Sequence, residues 1–248
     1  MIATAPTAKA ARTEPNSPTA KAARTEPNSP TAKAARTRAT IIDAALTLFR
    51  ERGYDDTTMR AIAAKAGVSA GNAYYYFASK EELILGFYDR AGVEHRAIAS
   101  PALEGIGDLA ERITIAVESW ITVMSPYRAF AGQFFRNAAE PTSPLSPFSP
   151  ESATARQQSI DFWDEVIAGA TSPVPDAVRG ELPGLLWLYS MGVVLFWVHD
   201  QSEGAARSRL LVRRTAPLLA RAVELSGMAL LQTAVHDTLH LISELRSL

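Results

Sequence analysis

An all-α fold is predicted for this chain, with a small N-terminal three-helix unit containing a helix-turn-helix and a larger helical domain behind it. Two short helical patterns joined by a glycine-containing turn occupy residues 57–83. From Ser79 almost to the C-terminus, apolar residues recur three and four apart, the spacing that lines one face of a helix. Apolar residues make up 47% of the 248, enough for a sizeable core in one or two domains.

The first 37 residues stand apart. Pro-Thr-Ala-Lys-Ala-Ala-Arg-Thr-Glu-Pro-Asn-Ser fills 6–17, returns unchanged at 18–29 and begins again at 30–37. A period of 12 is too short for helical solenoid repeats, and the unit has almost nothing to bury, so residues 1–37 are expected to be a disordered tail. Each full unit carries Lys, Arg and Glu, a net +1. A mobile arm that touches phosphates or the minor groove is therefore the alternative to an inert tail.

Ile41, Ile42, Ala45, Leu46 and Phe49 predict a supporting helix that starts after Thr37 and stops at Gly53. Thr57 can cap the next helix, whose core side carries Met59, Ile62 and Ala63; Gly67 ends it. Ser69 caps a second short helix with Ala73 and Phe77 as its buried stripe, leaving Ala70, Gly71, Asn72, Tyr74 and Tyr75 for the other faces. Such a surface is poor for solubility and good for a groove, and the spacing of the two helices matches a helix-turn-helix. Ser79-x-x-Glu82 is a capping box that opens the following helix, with Lys80 in its first turn.

From about Arg38 to Leu85 the residues resemble the N-terminal domain of TetR-family transcription regulators. The match consists of Ile-Ile-Asp-Ala-Ala-Leu-x-Leu-Phe, Gly-Tyr-Asp-x-Thr-Thr, Ile-Ala-x-x-Ala-Gly-Val-Ser, Gly-Asn-x-Tyr-Tyr-Tyr-Phe and Ser-Lys-Glu-Glu-Leu in a fixed order, over about a fifth of the chain. The resemblance implies phosphate contacts at Thr58, Ser69, Tyr74, Tyr76 and Lys80, and base-edge contacts at Ala70, Gly71, Asn72 and Tyr75. Asn72 can bridge adenine N6 and N7, and an aromatic ring can pack on a thymine methyl. Ala70 offers only apolar contact, so specificity is expected to lean on Asn72, Tyr75 and DNA shape. Tyr76 is open to a second reading, partial burial under the three-helix unit.

Composition agrees with a double-stranded DNA partner. Residues 1–100 hold 14 Lys and Arg against 10 Asp and Glu, whereas residues 101–248 hold 11 against 16. The polyanion belongs to the first part, and an excess of four is modest enough that pairing two copies matters for affinity. The chain has no cysteine, which excludes disulfides, thiolate metal sites and a cysteine nucleophile and leans toward a reducing compartment. Without an apolar leader at the N-terminus, a cytoplasmic location is expected.

Residues 86–248 are expected to form the helical effector-binding and dimerisation domain. Leu83, Ile84, Phe87 and Tyr88 continue one face toward His95 and Ile98, until Pro101, Gly105 and Gly107 break the helix. Further helices are predicted at about 108–124, 126–138 (with Phe130, Phe134 and Phe135) and 151–169. Pro141, Pro144, Pro147 and Pro150 lie three apart, the period of a polyproline II helix, and predict a stiff connector or else a lid over a ligand pocket.

Asp176 can cap the next helix, predicted at 176–201. It contains the run from Leu182 to Val198, whose 17 residues fall short of the roughly 20 that a bilayer needs; with Pro183, Gly184 and Gly192 inside it, a membrane span is rejected. A helix apolar on nearly all sides must be covered on nearly all sides, in the domain or against a second copy. The resemblance implies that helices 176–201 and 204–226 form a four-helix interface in a homodimer, which would read a palindromic operator. Residues 228–248 predict one further helix.

The resemblance also implies a cavity for a small, largely apolar effector that releases the operator, making the protein a ligand-responsive regulator, a repressor in this reading. Trp120, Tyr127, Arg128, Phe134, Trp163, Tyr189 and His199 are the candidate pocket residues, and no cofactor is expected. Two rivals are an architectural DNA-binding protein without effector and a metal-dependent enzyme. His236-x-x-x-His240 puts two imidazoles on one face, but nothing elsewhere completes a site, so they are read as solvated and no metal or catalytic residues are assigned.

Overall fold

The computed structural model describes residues 30–247, apart from the side chains of a few positions in the helices Arg128–Ala139 and Gln232–Ser247. The tail over residues 1–29 and the side chains of Phe130, Phe134, Val235 and Leu239 lie outside the described residues. Among the described residues every regular element is helical.

Helix α1 runs Pro30–Arg52, eight residues longer at its start than expected. Alanine dominates the added turns and proline is tolerated at the first helical position, so nothing local stops the helix there. Thr37 lies within it, its hydroxyl donating to the Lys33 carbonyl at 3.0 Å rather than capping a new helix. Gly53, at φ 86°, then ends α1 in the left-handed conformation that glycine adopts without cost.

Helices α2 (Met59–Lys65) and α3 (Ala70–Tyr76) follow, and α4 (Lys80–Ala102) leads from the three-helix unit into the second domain. Ile41, Ile42 and Phe49 of α1, Ile62 of α2, Ala73 of α3, Phe77, and Leu83, Ile84 and Phe87 of α4 are buried in one core. Around it, α4 is tied to α1 by Arg90 and Asp43 at 2.6 Å, and the Arg38 guanidinium lies 4.4 Å from the centre of the Phe77 ring.

The second domain is a helical bundle. Helix α5 (Leu109–Met124) packs on α4 and on α10 (Ala206–Leu225); α7 (Ala153–Ala168) packs on α9 (Leu182–His199) and α4; α6 (Arg128–Ala139) packs on α9. One buried cation joins three of these segments. The Arg112 guanidinium donates to the carbonyls of Val166 at 2.6 Å, Glu165 at 3.2 Å, Ile106 at 2.8 Å and Leu103 at 3.0 Å, linking the ends of α4 and α7. Carbonyls at helix C-termini are the acceptors that a cation suits, because the helix dipole is negative there.

Two expectations for this domain are corrected. The proline-rich connector is not a polyproline II helix, which has no internal hydrogen bonds. Its amides fold back every three residues, Ser143 to Glu140, Ser146 to Ser143 and Ser149 to Ser146, each at 3.0 Å, so the period of three is one of successive turns. Leu145, Ser146, Ser149 and Ser152 are buried, with the Ser149 hydroxyl donating to the Pro144 carbonyl at 2.8 Å. Helix 176–201 is in fact two, a single turn α8 (Asp176–Arg179) and α9, parted at Gly180 and Glu181. Asp176 lies inside that turn, with Pro175 at the cap.

The apolar helix α9 is buried on one side only, through Leu186, Trp187, Val193 and Trp197. Leu188, Leu195 and Phe196 remain more than 40% exposed, as do Leu210 and Leu218 on α10. By length and composition α9 can cross a membrane; Trp187 and Trp197 instead seat it in the bundle. The added helix α11 (Gln232–Ser247) contacts α8.

Candidate nucleic-acid interface

Local capping chemistry builds the interface. Thr58, not Thr57, caps α2, its hydroxyl accepting from the Ala61 amide at 3.2 Å. Thr57 is buried and donates to the Gly53 carbonyl at 2.7 Å, which closes the turn between α1 and α2. Two adjacent threonines are equal as caps by type, and only the reach of Thr57 back to Gly53 separates them.

The turn behind α2 is a Schellman motif. Gly67 at φ +69° lets the Val68 amide reach the Ala63 carbonyl at 3.0 Å and its own amide reach Ala64 at 3.2 Å. Ser69 then caps α3 by accepting from the Asn72 amide at 3.1 Å. Ala73 and Phe77 are fully buried, so α3 has a fixed rotation and its opposite face must look outward.

On that face Gly71 and Asn72 are exposed, Tyr74 is 50% and Tyr75 82% exposed, and Ala70 and Tyr76 are half-buried. The Tyr75 and Tyr76 rings meet edge to face, 5.2 Å between centres. A side chain added at Gly71 would meet nothing within 4 Å. Packing within the subunit therefore does not demand glycine there, whereas close approach by another molecule would.

Lys80 has a role that sequence reasoning missed. Its ammonium donates to the Tyr54 carbonyl at 2.7 Å, lies within 3.4 Å of that of Asp55 and sits 4.3 Å from the centre of the Tyr54 ring. The Tyr54 hydroxyl donates in turn to the Glu81 carboxylate. Burial alone would raise Glu81, but hydrogen bonds from Tyr54 and Ser79 and the charge of Lys80 hold its carboxyl below the usual range. The Ser79–Glu82 box forms, with Glu82 bonding the Ala78 amide and donating its own amide to the Ser79 hydroxyl at 3.2 Å. This clamp holds the start of α4 against the turn that carries Thr58.

The candidate effector residues lie in different surroundings. Trp120 is half-buried edge-on against Trp197, 5.2 Å between ring centres, and Trp163 is buried beside Phe162. Tyr127 packs on Phe87 of α4 and lines a half-open cavity of about 130 Å³ with Asp43, Leu46, Thr47, Arg50 and Pro126, at the junction with the three-helix unit. Arg128 donates to the Ser202 carbonyl at 3.1 Å, near the buried Asp200. Burial would raise that carboxyl, yet four hydrogen bonds from Ser202 and Ser208 keep it well below its ordinary value, and the one from the Ser208 amide satisfies an N–H in the first turn of α10. Tyr189 meets the Thr215 hydroxyl at 2.6 Å, and the exposed His199 bonds its own helix at Leu195. Phe134 belongs to α6, but its side chain is outside the described residues.

One group without an assigned role is the Trp197 indole, 1% exposed with its N–H unpaired. His236 and His240 share an exposed face of α11 with ring centres 6.4 Å apart, His240 lying 3.6 Å from Glu244.

Comparison with known proteins agrees with this geometry. Residues 41–86 match the family model of bacterial regulatory proteins of the tetR family, and residues 112–241 match the tetracyclin repressor-like C-terminal domain. The transcriptional regulator TtgR of Pseudomonas putida is 30% identical over 185 residues, 73% of this chain and 84% of that protein. The transcriptional repressor KstR2 of Rhodococcus jostii is 37% identical over 86 residues; the alignment spans only 42% of that relative and 33% of this chain. Among solved structures, a TetR regulator from Nitrosomonas europaea shares the fold with a TM-score of 0.59 at 22% identity, over 75% of this chain and 98% of the other. The regulator FadR of Bacillus subtilis, solved with stearoyl-CoA, does so with a TM-score of 0.56 at 17% identity, over 72% and 96%. A C-terminal domain matched over more than half of the chain, an N-terminal domain matched over the helix-turn-helix and an outward-facing α3 lead to one conclusion: the chain belongs to the TetR family of DNA-binding transcription regulators.

Proposed function

We propose that the protein is a ligand-responsive repressor that binds a palindromic operator as a homodimer and acts in the cytoplasm. The observation that carries this is the outer face of α3, where Asn72, Tyr74 and Tyr75 stand free of the core beside a glycine that leaves open space. In a major groove Asn72 reads adenine and Tyr75 packs on a thymine methyl, while Thr58, Ser69, Tyr74, Tyr76 and Lys80 serve the phosphates. Selecting duplexes from random sequence with the protein, then repeating the selection with Asn72→Ala, tests this reading. A two-fold symmetric site whose preference relaxes at one position per half is expected; an identical site from both proteins would remove α3 from the groove.

The stripes Leu188, Leu195 and Phe196 on α9 and Leu210 and Leu218 on α10 support pairing with a second copy. A two-fold pair presents two α3 helices, which is what half-sites about 34 Å apart require. The effector is a small, largely apolar molecule. It weakens operator binding by its preference for the non-binding conformation and no further, about 5–150-fold for the usual 1–3 kcal/mol of coupling. The unpaired Trp197 N–H favours an effector that brings one hydrogen-bond acceptor, since an unmatched buried donor costs about 1–3 kcal/mol. The FadR neighbour with stearoyl-CoA makes long-chain acyl compounds a reasonable first panel for a release assay.

A further inference from the structure

Four residues of α1, Asp43, Leu46, Thr47 and Arg50, follow one another at spacings of three, one and three, so they share one face of the helix. Opposite that face is the single turn Ser125–Tyr127 between α5 and α6, whose Pro126 and Tyr127 complete the cavity of about 130 Å³ at the junction of the three-helix unit with the bundle. Trp120, Trp163, Tyr189 and Trp197 take no part in its lining. It is therefore a different place from one in which an effector would meet the Trp197 indole.

The two charged groups of the lining are not equivalent. Asp43 is already matched, its carboxylate accepting from Arg90 of α4 at 2.6 Å, whereas Arg50 is exposed and has no acidic partner among the described residues. The Thr47 hydroxyl gives its proton to the Asp43 carbonyl at 2.8 Å, so the guanidinium of Arg50 is the group that can receive an anion. The remaining walls are apolar: buried Leu46, Pro126 and the Tyr127 ring, which is held edge to face on Phe87 with 4.7 Å between centres. An apolar cavity of about 150 Å³ holds benzene, so this one takes a body of about one ring. Because the cavity is half-open, a carboxylate on that body keeps part of its water while it pairs with Arg50, and most of the cost of burying a charge is avoided.

We propose that this cleft is a second small-molecule site, which takes a compact monocarboxylate with its apolar body between Leu46, Pro126 and Tyr127 and its carboxylate on Arg50. Such a ligand touches both α1 of the DNA-reading unit and the turn between α5 and α6, so it ties the head to the bundle independently of any molecule held among the tryptophans. The site depends neither on which sequence α3 prefers nor on what the bundle encloses.

The test titrates sodium benzoate, up to about 10 mM, into the full chain and into R50Q and T47W, with heat of binding and thermal midpoint as the two readouts. Benzyl alcohol, a neutral molecule with the same ring, is the control. Benzoate should bind the unaltered chain and raise its midpoint, and R50Q should bind it roughly tenfold or more weakly, the usual worth of a hydrogen bond to a charged group. Benzyl alcohol should bind the unaltered chain no better than R50Q binds benzoate. T47W, which fills the cleft, should lose benzoate while melting cooperatively; if that variant fails to fold, the R50Q arm decides alone. Equal benzoate affinity in the unaltered chain and R50Q would place the ligand elsewhere and overturn the site, as would an absence of heat and of any midpoint change in the unaltered chain. Benzyl alcohol binding as tightly as benzoate would overturn the carboxylate assignment.

Discussion

Two exposed faces of this molecule are rich in large side chains, and they differ in kind. On α3 the face carries Asn72, Tyr74 and Tyr75, so each large apolar body ends in a hydroxyl and an amide stands beside it. On α9 and α10 the face carries Leu188, Leu195, Phe196, Leu210 and Leu218, with no polar tips on those side chains. A groove of DNA is wet, charged and lined with donors and acceptors, and it suits the first surface. A surface that is apolar over two helices suits something equally apolar, and a second copy would supply it through two-fold symmetry. The comparison teaches that exposure of apolar area alone does not identify a partner; what the side chains end in does.

The sharpest way to break the comparison is to put charge on the apolar face. Leu195→Glu together with Leu218→Glu should convert a dimer into a monomer in sedimentation experiments and weaken operator binding by about 10²–10⁴-fold, because one head loses the effective concentration supplied by the other. A charged variant that sedimented like the unaltered protein would separate this face from pairing. On α3, Asn72→Ala should cost about 1–3 kcal/mol of operator binding and relax preference at one base position without changing the oligomeric state.

Smaller effects sharpen the boundary between holding the head and touching DNA. Lys80→Ala removes a hydrogen bond and a cation–ring contact from the Tyr54 clamp, so the thermal midpoint should fall by an amount equivalent to about 1 kcal/mol. If its remaining N–H also serves a phosphate, the salt slope falls by about one with no change in sequence preference. A thermal midpoint equal to that of the unaltered chain would dismiss the clamp.

The smallest expected effect is on pH. His95 of α4 is held by the Ala116 carbonyl at 2.8 Å and faces the Phe162 ring, with Arg96 next to it. Burial lowers its pKa, the carbonyl opposes that, and the Arg96 charge adds to the lowering. The unfolded chain therefore takes up this proton at higher pH than the fold does. Stability from this site is complete above about pH 6.5 and declines as pH falls through the lowered value. Unfolding midpoints of His95→Gln should depend less on pH below 6.5 than those of the unaltered chain; parallel curves would contradict it.

Much of the DNA-reading unit was legible because its signals are local. Ser69 and Ser79 cap two helices through bonds that span three residues, and Gly67 supplies the one left-handed turn between α2 and α3. Where two local answers were equal, sequence could not choose. Thr57 and Thr58 are alike as caps, turns and polyproline II share a period of three, and Gly180 can sit inside a helix or end one. The candidate effector residues were the least legible, since Tyr127, Arg128, Tyr189 and His199 were chosen by type and each meets a partner from a different neighbourhood.

The amino-acid order by itself determined that the chain is helical, where α2 ends and α3 begins, and which face of α3 is buried, because caps, left-handed glycines and apolar spacing act within a few residues. Tertiary structure alone decided that Lys80 grips Tyr54, that Arg112 binds four carbonyls at the ends of α4 and α7, and that α9 is covered on one side only. Those outcomes join groups that are distant in sequence, and burial, which depends on everything packed around a side chain, sets their energies.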